Sequence, residues 1–105
     1  MLAVPDLMSR LDEVKVKTAE ALRLSEADPG ASVVLVAVVR EFDSKAAKAN
    51  RTSGGESSAR DAVIELEQAG DSAKAAAEAD PGLGAVAVDA VQAAHLAICI
   101  LKTEV

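Results

Sequence analysis

Aromatic side chains are almost absent from this chain: Phe42 stands alone, with no tryptophan or tyrosine. Any core must therefore be built from Ala, Val, Leu and Ile, and such small side chains suit closely approaching helices better than the wide space between two sheets. The same scarcity removes the stacking platforms that hold single-stranded nucleic acid. Cysteine is as rare. With Cys99 alone no intramolecular disulfide can form, which fits a reducing compartment, and a cytoplasmic location is the expectation. Positive charge is also short: 11 basic residues against 17 acidic ones leave a net charge of -6. Such a surface repels phosphate backbones and anionic lipid, so neither nucleic acid nor a membrane is an expected partner, whereas a basic protein would suit it. Long apolar runs are missing. The longest uninterrupted one, Val33 to Val39, falls well short of the about 20 residues needed to cross a bilayer, and Met1 to Pro5 lacks the length and basic flank of a signal peptide.

What the chain does contain is a pentapeptide used twice, Glu26-Ala27-Asp28-Pro29-Gly30 and Glu78-Ala79-Asp80-Pro81-Gly82, 52 positions apart. The same offset also lays Glu13 on Glu65, Ala21 on Ala73, Val34 on Val86, Val36 on Val88 and Val39 on Val91. This pattern reads as an internal repeat. In each copy proline disfavours helical geometry at the preceding Asp, so the helix before it must end. Asp28 and Asp80 are then placed to cap the next helix, with Pro29 or Pro81 at its first position. Each repeat is thus a helix, a tight corner and a second helix.

In the first helix Leu7, Leu11, Val14 and Ala21, joined by Leu22, recur at steps of three and four with Thr18 in the remaining slot, and Arg10, Glu13, Lys17, Glu20 and Arg23 lie on a solvated face. Residues 31 to 39 are dense in β-branched side chains and compatible with a buried strand, but Leu35, Val39, Phe42, Ala46 and Ala49 continue a helical stripe, which predicts one helix from Pro29 to Asn50. A run of turn formers from Asn50 to Ser58 marks a linker over 51–57. The third helix is expected to start at Ser57 or Ser58, either of which can cap it, with Ala59, Val63, Leu66, Ala69 or Gly70, Ala73 and Ala77 facing inward, Gly70 marking a close helix contact or a kink. The fourth is expected from Pro81 to Thr103, with one stripe of Leu83, Ala87, Ala90, Ala94, Ile98 and Leu101 and a second of Val86, Ala93, Leu96 and Ile100. The reading is all-α: an antiparallel four-helix bundle made from hairpins over 5–50 and 58–103, in one domain of 105 residues.

A helix that is apolar nearly all round needs cover on more than one side. Helix four, and the start of helix two, have no full polar face. Self-association as a homodimer through helices two and four follows, with Val33, Val34, Val36, Val38, Val88, Val91, His95, Leu96 and Ile100 as the expected interface.

Chemistry-bearing motifs are few. His95 and Cys99 share a helix face one turn apart, but two ligands do not make a metal site, and the sequence offers only carboxylates such as Asp89 or a partner subunit to complete one. A lone histidine on an acidic helical bundle resembles the histidine phosphotransfer domain at that residue, yet the lysine and glycine that follow the histidine in that family are replaced here by Ile98, Cys99 or their neighbours. No phosphate-binding loop or nucleophile elbow is present, so no catalytic residue, cofactor or metal is assigned. The expected role is a non-enzymatic protein acting by protein–protein interaction, with small-molecule binding in an apolar cavity between helices or at the dimer interface as the alternative.

Overall fold

The structure is a computed structural model that describes the backbone of residues 2–51 and 56–105, with side chains described for 2–51 and 59–105. Its elements are helices: α1 (Val4–Ala27), α2 (Val33–Arg51), α3 (Glu56–Ala79) and α4 (Ala85–Thr103), with no strand among the described residues. Each packs against two neighbours: α1 and α3 both contact α2 and α4, so α1/α3 and α2/α4 are the diagonal pairs of a square bundle. Neighbours run antiparallel. The Leu2 N–H donates to the Glu104 carbonyl at 3.0 Å, tying the start of α1 to the end of α4, and Lys48 of α2 reaches Glu65 of α3 at 3.2 Å. The rod measures 41 × 19 × 18 Å.

Most positions of the inward stripes read from the sequence are buried, but Leu83, which precedes α4, and Ala90 are only half-buried, and Ala62 and Val91, outside those stripes, are buried as well. Leu11, Val14, Leu35, Val39, Phe42, Val63, Leu66, Ile98 and Leu101 fill the axis, with Ala21, Ala46, Ala73 and Ala94 where helices close in. Burying each larger side chain contributes about 1.5–3 kcal/mol. The β-branched run of residues 33–39 is helical because Leu35 and Val39 continue into Phe42 and Ala46 at helical spacing, and the gain of that continuous stripe outweighs local strand preference. Gly70 is explained by contact rather than by a kink. A Cβ there would stand 3.1 Å from Phe42 Cζ and 3.3 Å from His95 Cδ2, so the missing side chain makes room for the one aromatic ring.

The corners differ from expectation. Asp28 and Asp80 do not cap the helices that follow them, and α2 and α4 begin at Val33 and Ala85 rather than at the prolines. Asp28 Oδ1 accepts from Gly30 N–H at 2.8 Å and Asp80 Oδ1 from Gly82 N–H at 3.0 Å, each closing its own turn. The second oxygen crosses over. Asp28 Oδ2 accepts from Gly84 N–H at 2.8 Å, and Asp80 Oδ2 from Ser32 N–H at 3.0 Å, so each aspartate binds the residue before the other hairpin's second helix. The two corners touch, and a Cβ on Gly30 would run into the Gly82 carbonyl, as one on Gly82 would into the Gly30 carbonyl. Only glycine permits that approach. Ser32 adds an N-cap, its Oγ accepting from Leu35 N–H at 3.0 Å.

The expected linker at 51–57 lies largely outside the described residues. Arg51 already belongs to α2, and Ser57 and Ser58, expected as caps, lie inside α3, which is helical from Glu56.

Candidate functional site

The residues expected at an interface separate into three groups. Val33 and Val34 at the start of α2 are exposed, at 87% and 70%, as are Leu96 at 60% and Ile100 at 45% on α4. Val36, Val38, Val88 and His95 are half-buried. Val91 is a correction: it is fully buried, because one turn of α4 places it inward with Ala87 and Ala94. A second correction concerns geometry. Since α2 and α4 are diagonal, their outer faces point away from one another, and no single flat two-fold surface covers both. The more continuous face is on α4, where exposed Val86, Ala93, Leu96 and Ile100 follow one another at near-heptad spacing. α4 is also the one helix among those described that is long and apolar enough to cross a membrane by length and composition, with a mean hydropathy of 1.6, although Ala87, Val91, Ala94, Ile98 and Leu101 are spent on the bundle core.

The polar candidates lie on the seam between α3 and α4. His95 Nε2 is 2.6 Å from Asp71 Oδ1, and Cys99 Sγ is 3.4 Å from the same Nε2 but 3.9 Å from Nδ1. The three donor atoms lie within 4.8 Å of one another. Where the sequence offers Asp89 as a carboxylate, the bundle supplies Asp71 from the neighbouring helix instead. No spacing rule could have found it, because the register of α3 against α4 is set by core packing. Burial pushes the Cys99 thiol up from its ordinary value, and the carboxylates of Glu67 and Asp71 push the same way. Glu67 is held one turn from Asp71 by Lys102 Nζ at 3.1 Å.

This geometry argues against a Cys–His–Asp relay. In such a relay the thiol and the carboxylate use different ring nitrogens, so that one accepts while the other donates. Here both converge on Nε2.

A groove of about 400 Å³ runs between α2 and α3, lined by Val34, Ala37, Val38, Glu41, Ala69 and Ser72. It is open and apolar. Compared with known protein families, with curated proteins and with solved structures, the chain matches none.

Proposed function

We propose that this protein is non-enzymatic, acts by protein–protein interaction, and pairs with a second copy of itself through the outer face of α4. The observation that carries the reading is the outward stripe of Val86, Ala93, Leu96 and Ile100 on a helix whose opposite side already lies in the core. Leaving such side chains in water forgoes about 1.5–3 kcal/mol for each large one, and a two-fold axis across the stripe places like residues against like. The internal repeat is part of the reading, since one duplicated hairpin gives a chain with two similar corners and one surplus apolar helix. The acidic remainder of the surface suits a basic partner for the dimer.

Light scattering coupled to size exclusion, over a dilution series, tests it. The expected species is twice the 10.7 kDa chain mass. The double substitution L96E/I100E should give a folded monomer, while V33E/V34E on the diagonal helix should leave the dimer intact. A wild-type monomer at every concentration, or a dimer that survives L96E/I100E, refutes the pairing.

The groove between α2 and α3 favours a second reading, an apolar small molecule held by Val34, Ala37, Val38 and Ala69. V34E would then abolish ligand binding without changing the mass in solution.

A further inference from the structure

We propose that Asp71, His95 and Cys99 bind a zinc-class divalent cation on the α3/α4 seam. The donor set is one thiolate, one imidazole and one carboxylate, the ligand types that a borderline-soft ion takes in four-coordinate sites. Bond lengths of about 2.0 to 2.3 Å in a tetrahedron separate neighbouring donors by about 3.3–3.7 Å. The observed 3.4 Å between Cys99 Sγ and His95 Nε2 falls within that range. Asp71 sits closer to Nε2, at 2.6 Å, but its side chain is 59% exposed and free to swing outward by the fraction of an ångström required. Cys99 and Asp71 both address one ring nitrogen, which is the arrangement of ligands around a common centre rather than of a proton relay.

The first hairpin supplies an independent observation. The positions 52 before Glu67, Asp71, His95 and Cys99 are Lys15, Ala19, Asp43 and Ala47. There the chain provides its own cation: Lys15 Nζ lies 2.9 Å from Asp43 Oδ1, and Thr18 Oγ1 donates to the same oxygen at 2.8 Å. On the α3/α4 seam the lysine position is Glu67, itself paired with Lys102; Lys102 and Lys74 lie near enough to act on the Cys99 thiol, but among the described residues their ion pairs go to Glu67 and Glu78 rather than to Asp71. Ligation releases the thiol proton to solvent and places a divalent charge between the Cys99 thiolate and the Asp71 carboxylate, with water in the fourth position. The fully buried Phe42 ring and the Gly70 backbone beneath His95 form its rigid floor.

The test uses the full chain without a histidine tag. Zinc added to the metal-free protein should bind at one ion per chain and raise the thermal midpoint. Cobalt in its place should show a thiolate-to-metal charge-transfer absorption that C99S removes. H95A should abolish binding and D71N weaken it by about tenfold or more. Circular dichroism of each variant reports folding, and if H95A does not fold, D71N at an exposed position carries the result. No zinc uptake by the wild type, or uptake that C99S and D71N leave unchanged, overturns the proposal. The prediction holds for monomer and dimer alike, so it fails separately from the pairing through α4.

Discussion

The two hairpins share their corners and differ in their middles. At the corners, positions 52 apart do the same thing: Asp28 and Asp80 each close a turn with one oxygen and clasp the opposite hairpin with the other. Mid-bundle the same offset relates unlike residues. Phe42 corresponds to Ala94 and Thr18 to Gly70, so the largest side chain in one hairpin is met by the residue without one in the other. Volume is conserved across the pair rather than within each hairpin, as dense packing demands. A corner is constrained by backbone donors that both copies must satisfy; a core layer is constrained only in sum.

Breaking the core half of that comparison has the largest expected effect. Phe42→Ala, at a fully buried position, should cost about 3–5 kcal/mol in chemical denaturation, because Gly70 leaves nothing to collapse into the space. The combination with Gly70→Ala should recover part of the loss, and strictly additive costs would show that the two positions do not share a volume.

Next comes the contact between corners. Gly30→Ala places a methyl group against the Gly82 carbonyl, and Gly82→Ala does the converse, with backbone rather than flexible side chain in the way. Each should lower stability by about 1–3 kcal/mol, and both by similar amounts. A neutral result at either would mean that the corners do not hold this close approach.

The smallest effect belongs to the carboxylates. Asp28→Ala and Asp80→Ala should each lower the thermal midpoint slightly, and by equal amounts if the clasp is reciprocal. Asp80 also has a pH signature. Its carboxyl is held below the ordinary value, first by the Ser32 backbone N–H and then by the Gly82 N–H and the Ser32 hydroxyl. A depressed folded pKa means stability that is present above the unfolded value of about 4 and lost as pH falls through the folded one. Asp80→Asn should therefore flatten the stability profile below about pH 4, read by thermal melts across acid buffers. An unchanged acid limb would sink the assignment of that oxygen to Ser32.

Much of this was legible without coordinates. The three-and-four spacing of Leu7, Leu11, Val14, Thr18 and Ala21 names the buried side of α1, Thr18 included, whose hydroxyl reaches Asp43 and the Lys15 carbonyl. The proline in each pentapeptide fixes where a helix stops, because the stereochemical penalty on the residue before it is local. Where the next helix starts was not legible from the same rule: Asp28 has two oxygens and several nearby donors, and only the approach of the second hairpin decides that one oxygen goes to Gly84. Val91 illustrates a different limit. On a helix as apolar as α4, composition does not say which of Val88 and Val91 turns inward, and the packing of α1 and α3 against it decides.

By itself, then, the sequence determined the helices, their breaks, the small-residue core and the surplus of apolar surface on α4, since all of these follow from spacing and local stereochemistry along one chain. The tertiary structure alone decided the crossed clasp between Asp28 and Asp80, the diagonal placement of α2 and α4, and the meeting of Asp71 with His95 and Cys99. Each of these depends on the register between two helices. That register is set by how Phe42, Gly70 and their neighbours share one volume, which no period along a single helix records.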